Sequence, residues 1–303
     1  MKIVVAGGTG FIGRALCTSL SQKGHGVTVL TRDRQAAQQL LRTSVTTVEW
    51  NGRYPGAWEK SLEGADAVIN LAGAPIADAR WTDSRKRLIT DSRVHATRCL
   101  VDAISRRSAK PGVLISGSGI GYYGASDDRT LTEAAPHGKG FLADLCVAWE
   151  EEARRAETFG TRVVLLRTGM VLEADGGALP KMLLPFRLYL GGPIMPGTQW
   201  VSWIHRNDHI GLIEWALRTP AVSGPLNAVA PEPERMQTFC AALGRVLHRP
   251  CWFPVPETML RLALGELGSV MTTGQRVSPQ NALAGGYSFQ SPTLEGALRT
   301  ILK

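Results

Sequence analysis

The sequence has few cysteines and no long apolar run. Its five cysteines among 303 residues are scattered and never spaced C-x-x-C, which excludes a disulfide-stapled miniprotein and indicates a reduced intracellular chain without a structural zinc site. The longest apolar stretches, such as Ala67 to Ala74, are far shorter than the ~20 residues that span a bilayer. The first residues leave no room for a signal peptide. We therefore expect a cytoplasmic protein with no membrane partner.

The sequence also lacks a block of charge of one sign. Lys and Arg number 34 against 26 Asp and Glu, so the net charge is +8, but the charges are mixed along the chain. A nucleic-acid-binding surface usually shows a concentrated basic patch. We expect a small-molecule substrate and no nucleic acid, bound by a monomer or a homodimer.

Short β-branched runs alternate with helical patterns over the first 170 residues. The predicted strands are Ile3 to Ala6, Val27 to Thr31, Val45 to Trp50, Ala67 to Leu71, Val113 to Ser116 and Arg162 to Arg167. This alternation predicts an α/β fold with a Rossmann-type, doubly wound parallel sheet. The predicted dinucleotide domain covers residues 1–170, with a return of about 201–227, and a smaller C-terminal lobe covers 171–303. The predicted helices of that lobe are Asn207 to Arg218, Glu234 to Leu247 and Pro256 to Leu267.

A glycine-rich loop follows the first predicted strand. Gly7, Gly10 and Gly13, with Phe11 and Ile12 between them, lead into a helix that ends at Gly24. Glycines allow the backbone to approach a pyrophosphate, and the helix N-terminus offers free N–H groups to it. The spacing is G-x-x-G-x-x-G, and its place between a strand and a helix predicts a dinucleotide site rather than a simple tight turn.

The end of the second predicted strand favours NADP(H) over NAD(H). An enzyme that prefers NAD usually has an acidic residue there, about 20 residues after the glycines, for the ribose 2′-hydroxyl. Here Arg32 stands nineteen residues after Gly13, and an arginine binds a 2′-phosphate with two parallel hydrogen bonds. Asp33 beside it keeps NAD(H) open, and Arg32 as a solvated surface residue is the alternative.

A second arginine falls on the apolar stripe of a predicted helix from Thr82 to Arg107. Ile89, Ala96 and Leu100 define the stripe, and Arg93 lies within it. A buried cation is costly unless it is paired. The sequence therefore predicts either a bound phosphate or a salt bridge to a nearby carboxylate.

These motifs together resemble a known family. Gly7 to Gly13, Asp66 to Gly73, Leu114 to Ser118 and Trp203 to Asp208 look like an extended short-chain dehydrogenase/reductase. Gly73 to Trp81, Gly121 to Gly124 and Leu184 to Pro193 are similar to its atypical branch, the epimerase family proteins, and so is the segment after Trp252. The resemblance implies a Rossmann fold and NADP(H) binding.

The resemblance also implies cofactor contacts for individual residues. Thr31 and Arg32 would meet the adenosine end, Leu71, Ala72 and Gly73 would line the ribose, and Arg93 would reach the phosphates. The ends of the neighbouring strands would add Ser116, Gly117, Arg167 and, on the nicotinamide side, Val171.

The catalytic pair of the wider superfamily is missing. Those enzymes use a Tyr with a Lys four residues later, but the candidate pairs here are Phe141 with Leu145 or Leu142 with Cys146. Ser118 matches the serine that holds the substrate oxygen, and Tyr122 or Tyr123 could replace the missing acid. The alternative is that both tyrosine rings only pack the turn.

Polar and aromatic residues elsewhere predict a substrate pocket between the two lobes. The candidates are Trp81, Lys181, Gln199, Trp203 and His205, with core packing as the alternative for Trp203. His205 and His209 are four apart, but Arg206 stands where a zinc protease has its Glu, so no metal is expected. The favoured function is an NADP(H)-dependent oxidoreductase or epimerase acting on a small carbonyl or hydroxyl compound. The alternatives are an NADP(H)-sensing regulatory protein and, from labels carried by relatives, a cell-division-related protein.

Overall fold

The computed structural model describes residues 1–41 and 45–303. Its strands are β1 (Lys2–Ala6), β2 (Gly26–Thr31), β3 (Thr46–Glu49), β4 (Ala67–Asn70), β5 (Val113–Gly119), β6 (Thr130–Leu131), β7 (Arg162–Thr168), β8 (Met170–Glu173), β9 (Gly176–Gly177), β10 (Trp200–Val201), β11 (Trp203–His205), β12 (Gly224–Ala228), β13 (Glu234–Arg235) and β14 (Arg276–Val277). Its α-helices are α1 (Phe11–Gln22), α2 (Arg34–Leu41), α3 (Asp83–Ser105), α4 (Phe141–Arg154), α5 (Leu179–Arg187), α6 (Arg206–Arg218), α7 (Met236–Leu247), α8 (Glu257–Leu264), α9 (Glu266–Met271), α10 (Gln280–Ala284) and α11 (Leu294–Ile301). Short 3-10 helices cover Ala57–Leu62, Ile120–Tyr123 and Arg155–Phe159.

Seven strands form one parallel sheet in the order β12-β7-β5-β4-β1-β2-β3. The chain leaves β1 toward β2 and β3 and then returns to the other side of β1 through β4. Ligands of such sheets bind outside the carboxyl ends of the strands, at this point of reversal. The predicted doubly wound Rossmann-type sheet is confirmed.

Both faces of the sheet are covered. Val5 and Ile69 belong to a cluster under α1 and α6, and Val4 and Val68 belong to a second cluster under α3. All four side chains are fully buried. A strand buried on both faces has a continuous apolar sequence rather than an alternating one, and this explains why the sequence signal of the first strands is so clear.

The C-terminal part adds a smaller layer beside the sheet. β8 pairs with β11 in parallel and with β9 antiparallel, and Trp203 and Phe239 lie at the centre of the core beneath them. The single helix predicted over 256–267 is instead two helices, α8 and α9, because Gly265 has a φ of +65° and ends the first one. Within residues 1–41 and 45–303, no helix is long and apolar enough to cross a bilayer.

His209 on α6 is a buried histidine, and it predicts how stability depends on pH. Its Nε2 lies 3.0 Å from Thr168 Oγ1, and its Nδ1 has no partner among the described residues. Burial lowers the pKa of His209 to about 4. An unfolded histidine titrates near pH 6.5, so the unfolded state takes up its proton first as the pH falls. Above about pH 6.5 the neutral His209 therefore costs no stability. The free energy of unfolding declines as the pH falls from there toward 4.

We expect the His209→Gln variant to lose less stability on acidification than the wild type. The difference should reach about 3 kcal/mol between pH 7 and pH 4, since one pKa unit corresponds to about 1.4 kcal/mol. Urea unfolding at several pH values measures it. Parallel pH profiles for the two proteins would contradict the burial of a neutral imidazole.

Candidate functional site

The loop after β1 is folded so tightly that a side chain would not fit at Gly13. A Cβ on Gly13 would lie 2.1 Å from the carbonyl oxygen of Gly7, and Gly10 N donates a hydrogen bond to the same oxygen at 3.0 Å. Helix α1 then begins at Phe11, directly after the loop. The first N–H groups of a helix have no partner within it, and they attract an anion. The predicted glycine-loop residues thus form a turn and the first residues of α1 at the carboxyl edge of the sheet.

The loop contacts the segment after β4. A Cβ on Gly7 would lie 2.6 Å from the carbonyl carbon of Leu71, so the two backbones touch. Leu71 and Ala72 are half-buried and Gly73 is exposed. On the other side of β1, Arg32 follows the last residue of β2 and is exposed. The structure therefore brings these predicted cofactor residues to the same edge of the sheet.

Thr31 and Val171 are mostly buried at their predicted positions. Thr31 Oγ1 accepts a hydrogen bond from Asp33 N at 3.2 Å, which orders the turn that carries Arg32. Val171 lies on β8 and packs into the core on the α1 side of the sheet. Ser116 is fully buried, and Gly117 lies against the Trp149 ring. Direct cofactor contacts of these four residues stay predictions.

Arg93 is a buried cation with no anionic partner in the described part of the chain. Its side chain is 8% exposed, and Nη1 donates to the Ile89 carbonyl at 3.1 Å. The guanidinium lies against Gly73, where a Cβ would be 2.8 Å from Cζ, and 5.3 Å from the centroid of the Trp149 ring. No carboxylate of the described residues lies within 4.0 Å of it. The salt-bridge alternative is therefore wrong for the residues that the structure describes.

The pKa of Arg93 is lowered to about 10, chiefly by burial and to a smaller extent by the nearby Arg85. The guanidinium is still protonated at neutral pH. A buried charge without a counter-ion raises the free energy of the fold. An anion that reached the edge beside Gly73 would remove this cost.

Ser118 belongs to a buried polar network at the end of β5. Its Oγ donates to Glu150 Oε1 at 2.7 Å, and Arg167 binds both oxygens of Glu150 at 2.8 Å. Arg167 is 2% exposed. Burial alone would lower the pKa of Arg167, but Glu150 outweighs that effect and raises it. Because the guanidinium is buried and paired, the prediction that Arg167 contacts the cofactor is wrong, and Arg167 supports the turn instead.

The two tyrosines of the turn differ in what their hydroxyl groups do. Tyr123 is buried, donates to Asn227 Oδ1 at 2.7 Å and accepts from Arg167 Nη1 at 3.0 Å. Burial raises its pKa, which makes it a poorer proton donor at neutral pH. Tyr122 is half-buried, and its ring lies 3.4 Å from Arg167 Cζ. Its hydroxyl has no hydrogen-bond partner among the residues that the structure describes.

Of the two candidate pairs at the positions of the missing Tyr and Lys, Leu142 and Cys146 lie nearest to this turn. A Cβ on Gly121 would lie 3.0 Å from the Leu142 Cβ, and the Cys146 thiol donates to the Gly119 carbonyl at 3.5 Å. Leu142 and Cys146 therefore face the end of β5. Burial raises the pKa of Cys146 to about 11, so the thiol stays protonated and takes no part as a base at neutral pH.

The predicted substrate residues separate into two groups. Trp81 and Lys181 lie around the loop after β4: Trp81 Nε1 donates to the Ile76 carbonyl at 3.0 Å, and Lys181 Nζ donates to the Ala77 carbonyl at 3.2 Å. Trp203, in contrast, is fully buried in the C-terminal core and donates to the Glu232 carbonyl. The core-packing alternative is correct for Trp203.

Gln199 and His205 are also structural. Gln199 is buried and its amide donates to the Ile194 carbonyl at 3.0 Å. His205 is buried and caps α6, because its Nδ1 accepts from Asn207 N at 3.0 Å. Their assignment to a substrate pocket is wrong, since both side chains are buried and hydrogen-bonded within the protein. Over residues 1–41 and 45–303, no group of three metal-ligating side chains could hold a metal ion.

Sequence reasoning missed Glu150, which organises the network around Ser118. One signal was available: Glu150 follows Cys146 by four residues on a helix, so both point to the same face. An acidic residue on the sheet-facing side of a helix implies a buried cation. The long-range partner, Arg167, depends on the pairing of β5 with β7 and could not be assigned from spacing.

We expect the Glu150→Gln variant to be strongly destabilised. Removing one partner of a buried ion pair leaves the other charge unpaired and costs about 3 to 5 kcal/mol. Glu152→Gln on the same helix is the matched control, because its partners Arg98 and Arg155 are half-exposed and such pairs contribute about 1 kcal/mol or less. Chemical unfolding of both variants measures the difference. Equal losses would show that the Glu150 pair does not hold the turn.

Comparisons with known proteins agree with this architecture. The model of the NAD dependent epimerase/dehydratase family matches residues 3–229, and a domain of unknown function (DUF1731) matches residues 255–301. An epimerase family protein SDR39U1 homolog, chloroplastic, of Arabidopsis thaliana is 40% identical over 312 residues, with 100% of this chain and 87% of the relative covered. Epimerase family protein YfhF of Bacillus subtilis is 40% identical over 305 residues, with 100% and 98% covered.

A solved structure is similar over the whole length. The human epimerase family protein SDR39U1 (isoform 2), crystallised with NADPH, is 34% identical with a TM-score of 0.89, and 99% of each chain is covered. UDP-glucuronic acid 4-epimerase of Bacillus cereus has a TM-score of 0.80 at 18% identity, with 99% of this chain and 98% of that one covered, and shows the fold alone. The family match over residues 3–229 and the full-length relatives agree: the chain belongs to the NAD dependent epimerase/dehydratase family.

Proposed function

We propose that this chain binds NADP(H) and acts on a small carbonyl or hydroxyl compound. The observation that carries the proposal is Arg93, a buried guanidinium without a carboxylate in the described residues, beside a glycine loop at the carboxyl edge of a doubly wound sheet. The human relative, 34% identical over 99% of its chain, was crystallised with NADPH.

The residues at this edge fit a dinucleotide. The turn from Gly7 to Gly13 and the first N–H groups of α1 would hold the pyrophosphate, and the segment from Leu71 to Gly73 would lie along it. Exposed Arg32 would bind the 2′-phosphate, which distinguishes NADP(H) from NAD(H). Arg93 would reach the phosphates past Gly73, where a larger residue would displace the guanidinium.

Bound NADP(H) would supply or accept a hydride, and the protein would have to manage the accompanying proton. Among the described candidates for that task, Ser118 and Tyr123 already donate their protons to buried acceptors. Tyr122 keeps an uncommitted hydroxyl, and its ring packs on the Arg167 guanidinium. We therefore assign the transfer of this proton to Tyr122. Trp81 and Lys181 would lie at the entrance of the substrate site.

A second candidate function is NADP(H) sensing without turnover. It is favoured by the observation that Leu142 and Cys146 occupy the places nearest to the turn, while Ser118 and Tyr123 serve the buried network. The two candidates share the nucleotide site. They differ in whether any compound oxidises bound NADPH.

Cofactor choice is tested by calorimetric binding of NADPH and NADH. We expect Arg32→Ala to weaken NADPH binding by about 1.5 to 3 kcal/mol, the value of a charged hydrogen bond, and to leave NADH binding unchanged. Arg93→Gln should weaken both nucleotides, because both carry the pyrophosphate. Arg87→Gln, an exposed position on the same helix, is the control and should change neither. Equal loss of NADPH and NADH in Arg32→Ala would overturn the choice of NADP(H).

Catalysis is tested by a screen of carbonyl and hydroxyl compounds that follows NADPH absorbance. We expect Tyr122→Phe to lower kcat by about a hundredfold or more, as for loss of a general acid, with unchanged stability. Tyr123→Phe should mainly reduce stability, by about 1 to 3 kcal/mol, because it removes the hydrogen bond donated to Asn227 Oδ1 and the one accepted from Arg167 Nη1. NADPH binding without turnover of any compound would favour the sensing function.

A further inference from the structure

The exposed apolar side chains of this protein are concentrated in one region. Within residues 1–41 and 45–303, fifteen large apolar side chains are exposed, and nine of them fall in the segments 184–195 and 252–262. They include Leu184, Leu188, Tyr189, Trp252, Phe253 and Leu262. Leu188 is 61% and Trp252 65% exposed. Soluble monomers rarely expose contiguous apolar patches of this kind without a binding role.

The two segments are held together by their backbones. Trp252 N and Phe253 N both donate to the Gly191 carbonyl, at 2.9 and 3.1 Å, and Trp252 Nε1 donates to the Tyr189 carbonyl at 2.9 Å. Met195 N donates to the Val255 carbonyl at 2.9 Å, and α8 begins at Glu257, two residues after Val255. The segments therefore form one surface, which we call the 184–262 patch. Main-chain hydrogen bonds fix how the two segments lie beside each other, and their exposed aromatic side chains share one surface.

Helix α8 extends the same surface. None of its eight residues is buried, and Met259 and Leu262 are 55% and 80% exposed. In a helix packed on a core, the apolar residues face inward. In α8, Met259 and Leu262 face outward, whereas Leu264 packs against the core near Trp81. Arg80 also donates to the carbonyls of Leu262 and Ala263 at the C-terminal end of the helix.

Basic side chains outnumber acidic ones around the patch. The stretches 181–195 and 248–262 contain Lys181, Arg187, Arg249 and Arg261 but a single acidic residue, Glu257. Lys181 pairs with Asp78 and Arg261 with Glu257, and among the described residues Arg187 and Arg249 have no carboxylate partner. Arg249 Cζ lies 4.5 Å from the centroid of the Tyr189 ring, so cation and aromatic ring form one surface element. Exposed Trp, Tyr, Phe and Leu beside arginines are typical of proteins that lie on a bilayer surface, where the rings enter the interface and the cations meet anionic headgroups.

We propose that the 184–262 patch is a docking surface for a bilayer that carries anionic lipids. A second copy of the chain fits less well, because a symmetric contact would bring together two surfaces of the same net positive charge. The expectation of no membrane partner came from the lack of a spanning segment, and a contact with the bilayer surface needs none. The proposal does not depend on the nucleotide site, which lies at the carboxyl edge of the sheet.

Vesicle co-sedimentation of the full chain tests the proposal. The probes are vesicles of phosphatidylcholine alone and vesicles that also contain phosphatidylglycerol. We expect the wild type to bind the anionic vesicles more tightly than the neutral ones. Arg187→Gln should weaken binding to the anionic vesicles by about fivefold, the effect of one basic residue near a charged surface, and leave the weak binding to phosphatidylcholine unchanged.

The double variant Trp252→Ser, Phe253→Ser should lose binding to both kinds of vesicle. Its control is Tyr54→Ser, which removes an aromatic ring that is 66% exposed but lies outside the patch, and which should bind like the wild type. Unchanged NADPH binding by all variants shows that they are folded. Failure of the wild type to bind anionic vesicles, or equal binding by the double variant, overturns the proposal. A concentration-dependent dimer in ultracentrifugation that the double variant dissociates would assign the patch to a second copy instead.

Discussion

The buried guanidinium of Arg93 is the constraint on which the account of this protein depends. A charge at 8% exposure, with a carbonyl and an aromatic face as its neighbours, is not compensated by the described protein atoms. Its position explains why residue 73 is glycine, since a Cβ there would collide with Cζ. It also explains why the glycine loop, the Leu71 to Gly73 segment and α3 have to meet at one edge. An anion supplied by a ligand completes this arrangement.

Arg167, in contrast, is a buried cation whose charge is compensated by the protein itself. Arg167 is more deeply buried than Arg93, yet both oxygens of Glu150 bind it, and Tyr123 and the Glu133 carbonyl accept its remaining hydrogen bonds. A buried cation with this many partners fixes local structure. The same helix α4 thus contacts one arginine through Glu150 and the other through Trp149. The first arginine holds the turn of Ser118 and Tyr123, and the second is left for a ligand.

Local sequence patterns were sufficient for the parts of the fold that depend on near neighbours. The glycine turn, the doubly buried strands and the position of Arg93 on the apolar stripe of α3 all follow from spacing along the chain. The errors concern side chains whose environment is set by distant elements. Trp203, Gln199 and His205 stand in a Gly- and Pro-rich stretch that suggests a pocket. In the structure, β8 and α7 enclose Trp203, β8 pairs with the strand of His205, and Gln199 bonds to the Ile194 carbonyl. Arg167 was assigned to the cofactor because it ends a strand, and only the packing of α4 on β5 shows that Glu150 captures it.

The most direct test of the central claim is the free energy of unfolding of Arg93→Met, measured without and with NADPH. Replacing an uncompensated buried charge by an apolar side chain of similar length should leave the nucleotide-free protein as stable as the wild type or more stable. NADPH should then stabilise the wild type strongly and the variant much less, because ligand stabilisation follows affinity. A nucleotide-free variant that is several kcal/mol less stable, with full stabilisation by NADPH retained, would contradict the claim that Arg93 is kept for an anionic ligand.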